Sequence, residues 1–330
     1  MKPLQTAHYA RQIAHTIPKE AFKPATYKLL PMFVHAGIIF GSVGMVGYLD
    51  STYSLVLLSI LSGISIACIF LYSHELSHGT IVRKEPFLYI LQNFFWAFSG
   101  IPPTVWKHVH NLSHHKHMNT YDDPDRKTFK SEDSFLNKVY NLFIYPNRVL
   151  RYSLTVGSAM MFYSIKHTLA VFYNGEKKPA IVTYKPNYTK REVRKVFFEV
   201  VFILCFWSII WVVLGLKIGL IFSLISWYTY SALVILFIIT QHQRDPVFKD
   251  IADPLLTSTS VIIPSWLDRI LDWHSFHVEH HVFPGINFDY YPHVSKELQK
   301  QFPERYERIP LFRAVKEAYN EDVLIDDPLL

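Results

Sequence analysis

Half of the 330 residues are hydrophobic and 16% are aromatic, whereas charged residues make up only 18%. Soluble domains usually carry about 25% charged residues, so this composition argues against an ordinary soluble protein. The net charge of +6 is spread along the chain without a binding motif, which argues against a nucleic-acid partner. Cys68 and Cys205 both lie in apolar stretches, and their number and spacing exclude a disulfide scaffold or a thiolate metal site.

Four apolar stretches are long enough to cross the hydrocarbon core of a bilayer, which needs about 20 helical residues. They predict membrane helices near residues 30–49, 52–73, 196–216 and 218–240. Asp50 and Ser51 join the first two stretches, and Lys217 joins the last two, so we expect two tight helical hairpins. A shorter apolar stretch, residues 86–101, precedes a Pro-Pro pair and is predicted to be re-entrant or interfacial.

Two hairpins would leave residues 1–29, 74–195 and 241–330 on one side of the membrane. These three segments contain 5, 18 and 9 of the Lys and Arg residues, which is 32 of the 33 in the chain. Such an excess of positive charge marks the cytoplasmic side. The predicted fold is therefore an all-α, multi-pass integral membrane protein with a cytoplasmic helical cap. We expect a single domain with an N-terminal segment (1–29), a core (30–300) and a C-terminal tail (301–330), and an exposed loop near residues 174–189.

The 17 histidines are concentrated near the predicted membrane boundaries. The sequence HELSH starts at His74, directly after the second apolar stretch, and WKHVHNLSHHKH occupies residues 106–117. A third cluster, WHSFHVEHHVFP, occupies residues 273–284, and His242 follows the fourth stretch. Residues four apart share one face of a helix, so each cluster can direct histidines at a metal. The pairs expected to share a face are His74 with His78, His110 with His114, and His277 with His280 and His281.

Imidazole nitrogen alone does not identify the metal, because zinc, iron, copper and nickel all accept it. Eight or nine histidines exceed what one tetrahedral zinc needs and suit two metals with four or five nitrogens each. A site beside the bilayer implies a hydrocarbon substrate, and attack on an unactivated C–H bond calls for an O2-activating metal, for which iron is the usual choice. Zinc-dependent hydrolysis stays open on the ligands alone.

Acidic residues near the histidines are predicted to orient the rings by accepting their second N–H group. The candidates are Glu75, Glu279, Asp245 and Asp123, the last within a group that includes Asp122 and Asp125. Three further histidines adjoin the clusters but exceed what two metals need, namely His108, His117 and His274. Five others have no partner at ligand spacing and are predicted to be ordinary surface or core residues: His8, His15, His35, His167 and His293.

The three clusters resemble the histidine boxes of the membrane fatty acid desaturase and hydroxylase superfamily, and Gln241-His242 is similar to its QH element. The resemblance covers roughly residues 30–300. In the second box, the three-residue gap between His110 and His114 is the spacing that fits. The resemblance implies two irons held by nine ligands: His74, His78, His110, His114, His115, His242, His277, His280 and His281. It also implies an O2-dependent insertion of a double bond into a fatty acyl chain.

The same resemblance implies that two electrons come from a separate donor. The chain has no HPGG-type haem motif and too few cysteines for an in-chain iron–sulfur cluster, so we expect a ferredoxin or a cytochrome b5 to supply them. A fatty acid hydroxylase and a decarboxylase that forms terminal alkenes share the boxes and remain alternatives. A non-enzymatic haem-binding or transport protein is a remote alternative. It predicts ionisable residues within the membrane helices, where the sequence has only His35 and Glu199.

Overall fold

Four helices dominate the computed structural model, which describes residues 2–49, 51–125, 128–129, 148–173, 182, 184, 186–242, 247–320 and 324–325. Each of the four is long and apolar enough to cross a membrane. The described residues are mostly helical, with only short strands. The prediction of a helical protein with four candidate membrane helices is therefore confirmed.

The elements follow the chain in three parts. The first part contains α1 (Thr6–Ile13), α2 (Leu29–Leu49), α3 (Thr52–Ser77) and α4 (Phe87–Ser99). The second contains α5 (Pro103–Trp106), a π-helix (Lys107–His114), α6 (His115–His117), β1 (Thr128–Phe129), α7 (Arg148–Val171), α8 (Lys190–Leu214) and α9 (Leu216–His242). The third contains α10 (Pro254–Thr257), β2 (Ser260–Ile262), α11 (Ser265–Ile270), α12 (His277–Val282), α13 (Tyr291–Gln301), β3 (Arg308–Pro310), α14 (Leu311–Asn320) and β4 (Leu324–Ile325). Strand β1 pairs in parallel with β4, and β2 with β3.

The membrane helices differ from their predicted bounds where polar residues continue them. Helix α8 starts at Lys190, well before the apolar stretch, because a capping box precedes it. The Thr189 hydroxyl accepts the Glu192 N–H group, and the Glu192 carboxylate accepts the Thr189 N–H group at 2.8 Å. The predicted junction at Lys217 is wrong. The break falls at Gly215, whose φ of +75° favours glycine, and Lys217 lies inside α9.

Helix α7 was not predicted from the sequence. It packs along α9, where the Ser231 hydroxyl donates to the Val156 carbonyl at 2.8 Å. Lys166 and His167 interrupt its apolar residues, so its sequence does not read as a membrane stretch. The segment predicted to be re-entrant or interfacial forms the 13-residue helix α4, which is too short to span a bilayer and ends at Gly100. The predicted loop at 174–189 lies mostly outside the described residues.

Small residues allow α3 and α9 to approach closely. The Ser226 hydroxyl donates to the Ser59 carbonyl at 3.0 Å, and Gly63 lies one turn further along α3. A Cβ atom added at Gly63 would lie 2.5 Å from Thr229 Cβ and 2.6 Å from the Ser226 carbonyl oxygen. Membrane helices commonly associate through such small residues, because lipid-exposed apolar side chains gain little by leaving the lipid.

A second apolar core joins the two ends of the chain beside the third histidine box. Side chains from α1, α12 and α13 form it, among them Tyr9, Val278 and Leu298. Buried Asp253 links the two ends of this core, because it accepts hydrogen bonds from the Tyr9 hydroxyl at 2.9 Å and from Arg305 Nη2 at 2.6 Å. The N-terminal segment is therefore part of this second core and contacts residues that follow α9.

The close approach of α3 and α9 predicts that Gly63→Ala is destabilising. Overpacking at a contact with backbone costs about 1–3 kcal/mol. The matched control is Gly37→Ala in α2, where an added Cβ meets nothing within 4 Å. We expect the thermal midpoint of the detergent-solubilised protein to fall for Gly63→Ala and to stay nearly unchanged for Gly37→Ala. Equal midpoints for the two variants would contradict the packing described here.

Candidate metal centre

The nine predicted ligands lie together because five helical elements meet at the same place. His74 and His78 are at the C-terminal end of α3, and His242 is the last residue of α9. The π-helix and α6 carry the second box, and α12 carries the third. Six of the nine side chains are buried and three are partly exposed, the latter being His78, His115 and His242.

Five of these histidines form a first group, in which one nitrogen of each lies within 4.8 Å of the others: His74, His78, His110, His115 and His280. The Nε2 atom of His110 is 2.7 Å from that of His74 and 3.2 Å from that of His115. The Nε2 atoms of His115 and His280 are 3.0 Å apart. This group therefore draws ligands from all three histidine boxes.

The remaining four histidines form a second group beside the first. Nitrogen atoms of His114, His242 and His281 lie within 4.8 Å of one another. The Nε2 atom of His277 is 2.6 Å from that of His242 and 3.0 Å from that of His281, which places His277 with them. The ring centroids of His115 and His281 are 4.7 Å apart, so the two groups adjoin.

The division of the nine histidines between the two groups differs from the one that α-helical spacing predicted. His74 and His78 share a group as expected, but His110 joins His115, while His114 lies in the second group. The cause is the π-helix, whose hydrogen bonds join residues five apart and bring the fifth residue round to the same side. In α12, His277 and His281 share one group, and His280 points to the other.

Burial favours the neutral form of most of these imidazoles, which is the form that binds metal. Burial lowers the pKa of His78 to about 3. Burial and then neighbouring histidines hold the pKa values of five others well below the ordinary range: His110, His115, His277, His280 and His281. The Nε2 atom of His78 is buried and makes no hydrogen bond among the described residues. Converging nitrogen lone pairs of this kind fit two metal ions with imidazole ligands.

Hydrogen-bond partners outside the two groups select the tautomers of His114 and His280. The Nδ1 atom of His114 lies 2.9 Å from Asp123, whose carboxylate also accepts the Asn119 and Asp125 N–H groups. Burial alone would lower the pKa of His114, but the nearby Asp123 carboxylate raises it above its ordinary value. Because that carboxylate lies beside Nδ1, it favours the proton on Nδ1 in the neutral ring. The Nδ1 atom of His280 lies 3.1 Å from the Tyr291 hydroxyl, which donates to the Phe283 carbonyl at 3.3 Å. Both rings can therefore present an unprotonated Nε2.

The other predicted outer carboxylates have different partners. Glu75 binds the ammonium of Lys28 at 2.9 Å, and Glu279 accepts the Ser260 hydroxyl at 2.5 Å and the Tyr306 hydroxyl. Among the described residues, these partners occupy the two carboxylates in place of an imidazole nitrogen. Asp245 lies outside the described residues. Asp125 and Asp123 form a further group with His114, but the Nδ1 atom of that ring already faces Asp123.

The three additional histidines near the clusters lie outside both groups. The Nε2 atom of His108 is 2.9 Å from the Glu192 carboxylate, and His117 is half-buried. His274 is buried, and its ring centroid lies 5.5 Å from that of His74. The five histidines predicted to be ordinary also lie outside the groups, although His167 is fully buried and its Nδ1 atom is 3.0 Å from the Tyr184 hydroxyl.

Three residues that touch the histidines were not singled out from the sequence. The indole of Trp106 stacks on His110 with ring centroids 4.5 Å apart. Phe288 lies 5.2 Å from the ring of His280, and Tyr291 binds the same imidazole. Trp106 begins the second cluster and could have been noticed for that reason. The other two follow the third box without any spacing signal.

Comparison with known proteins identifies the family. The sequence profile of the family described as "Fatty acid desaturase" matches residues 51–312, which is most of the chain. A curated relative, the sn-1 acyl-lipid omega-3 desaturase (ferredoxin) of Synechocystis sp., is 24% identical over 145 residues. That match covers 44% of this chain and 39% of the relative, so the alignment spans well under half of either protein. From the profile match over most of its length, the chain belongs to the fatty acid desaturase family.

Proposed function

We propose that the protein is an O2-dependent fatty acyl desaturase that introduces a double bond into an acyl chain at a centre of two irons. The observation that carries the proposal is the pair of adjoining groups of five and four buried or half-buried histidines at the ends of the membrane helices. Membership of the desaturase family and the similarity to an acyl-lipid desaturase support it. The proposed ligands are the nine histidines named above.

The proposed arrangement in the membrane is two helical hairpins with the metal centre in a cytoplasmic cap. Helices α2 and α3 pack together and are joined by two residues, and α8 and α9 pack together and are joined by Gly215. The distribution of 32 of 33 Lys and Arg residues supports the cytoplasmic location of the cap. An acyl chain could then approach the centre from the bilayer without passing through water.

The protein's own residues hold the ligands in place and keep water away. Iron, when bound, would supply the activation of O2 that removal of hydrogen from an unactivated carbon requires. Asp123 and Tyr291 hold protons on Nδ1 of His114 and His280, so that their Nε2 atoms face the centre. The buried rings of Trp106 and Phe288 cover His74 at centroid distances of 5.8 Å and 5.9 Å and exclude solvent from that side.

Electrons in the proposed reaction come from a separate protein of the ferredoxin or cytochrome b5 type. The relative from Synechocystis is named as a ferredoxin-dependent desaturase, and the positive net charge of this chain suits an acidic donor. The lipid product, and not the donor, distinguishes desaturation from other reactions on the same scaffold.

Expression of the protein in a host of known lipid composition tests the reaction. We expect mass spectrometry of the host lipids to show acyl chains that have lost two hydrogens, with the position of the new double bond set by the protein. A gain of oxygen would identify a hydroxylase, and terminal alkenes one carbon shorter would identify a decarboxylase. Haem absorbance in the purified protein, without non-haem iron, would refute the di-iron proposal.

Replacement of a proposed ligand should abolish activity and reduce the amount of bound iron. His280→Ala removes a nitrogen from the first group, so we expect loss of the new lipid product and of about one iron per chain. The control is His15→Ala, an exposed histidine outside both groups. Iron content by mass spectrometry and the lipid profile are the two measurements. Wild-type iron and activity in His280→Ala would contradict the proposed centre.

Asp123 is expected to strengthen iron binding through His114. In Asp123→Asn the neutral amide no longer attracts the ring proton, so we expect iron affinity to fall roughly 10- to 100-fold. Asp122→Asn, an exposed carboxylate one residue earlier, is the matched control. The measurement is an anaerobic titration of the metal-free protein with Fe2+. Equal affinities in the two variants would show that the contact between Asp123 and His114 does not orient a ligand.

A further inference from the structure

Lys28 is a buried cation at the start of the first membrane helix, although the sequence suggested no role for the N-terminal segment in the site. Its side chain is 3% exposed. The ammonium lies 2.9 Å from Glu75 Oε2 and 2.6 Å from Asp272 Oδ1, and both of these carboxylates are buried. Asp289, which is exposed, lies 3.6 Å away. Lys28 therefore binds carboxylates from three separate parts of the chain.

The carboxylates that receive Lys28 adjoin the first and third histidine boxes. Glu75 follows the proposed ligand His74 directly, and Asp272 lies five residues before His277. Glu75 also accepts the Phe288 N–H group at 3.3 Å, and the ring of Phe288 packs against both His74 and His280. A single ammonium thus connects the backbone and side chains that surround two ligands of the first group.

The backbone before the third box is held in a conformation that needs such support. Asp272 and Trp273 have φ values of +53° and +58°, which residues other than glycine rarely adopt. Lys28 binds the carboxylate of Asp272, and the Trp273 indole donates to Asp289 at 3.0 Å. Unusual backbone of this kind persists only where the surrounding contacts hold it. Here the contacts converge on Lys28 and its acidic partners.

From this geometry we infer that Lys28 is a positioning residue for the first metal site. It fixes the position of the first histidine box relative to the third, so that His74 and His280 lie in one group before metal binds. The inference rests on the proposed function. It assigns a role in the metal centre to a residue outside the stretch of 51–312 that matches the family profile.

Lys28→Met tests the inference, because it removes the charge and keeps most of the side-chain length. The full-length protein is purified in detergent, stripped of metal and given Fe2+ without oxygen. Wild type is expected to bind about two irons per chain and Lys28→Met about one, because the second group has its own support from Asp123. Mössbauer spectra should show the loss or alteration of one iron signal. A general loss of stability would lower the melting temperature but would not remove one of the two irons in preference to the other.

Two further variants separate the charge from the shape of the side chain. Lys28→Arg keeps the cation and is expected to restore much of the missing iron signal. Lys23→Met removes a lysine whose side chain is 72% exposed, and it should behave as wild type. A folded Lys28→Met protein that binds both irons with unchanged spectra would overturn the inference and leave the proposed function intact. A wild-type protein that binds no iron would overturn both.

Asp272→Asn covers the case in which Lys28→Met does not fold. It keeps the shape of the side chain and removes the charge that receives Lys28 at 2.6 Å. We expect the same selective loss of one iron from this variant. Two irons with wild-type spectra in a folded Asp272→Asn protein would overturn the inference.

Discussion

The structure depends on the convergence of imidazole nitrogens in a buried space at the ends of the membrane helices. Nitrogen lone pairs that approach to 2.6–3.2 Å without intervening donors are unfavourable unless a cation or a shared proton lies between them. Burial lowers the basicity of most of these rings, which disfavours the protonated alternative. The arrangement is therefore suited to metal ions, and much of the remaining structure serves to hold it.

Three kinds of support surround the convergent rings. The first is close helix packing through Gly63 and Ser226, which fixes α3 against α9. These two helices carry His74, His78 and His242 at neighbouring ends. From the membrane side, Glu199 accepts the N–H and hydroxyl groups of Thr104 at 3.0 and 2.6 Å. That contact anchors the start of the helical segment which carries the second box.

Polar contacts around the histidines supply the third kind of support. Asp123 and Tyr291 orient single rings, whereas Lys28 acts on the backbone around two boxes. A buried ion pair is not in itself strongly stabilising, because desolvation offsets the attraction. Its value here is geometric, since an ammonium with two buried carboxylates permits few arrangements of the segments that carry them.

The sequence by itself determined the class of the protein and the membership of its candidate site. Apolar stretches of about 20 residues have the length of a bilayer-spanning helix, so they predict membrane helices directly. The histidine spacing within each box is likewise a local property of the chain. The nine histidines implied by the resemblance to the histidine boxes are the ones that converge. The apolar count placed the start of α8 too late, because the capping box at Thr189 begins the helix before the apolar residues.

Tertiary structure alone decided how the nine histidines divide into two groups and what holds them. The π-helix between Lys107 and His114 sends His110 and His114 to different groups, and a rule for α-helical faces does not predict it. Glu75 and Glu279 bind Lys28 and Tyr306 instead of imidazoles, because their partners come from distant parts of the chain. Contacts such as that of Lys28 with Asp272, 244 residues apart, have no local signal, since they arise only when the helices have packed.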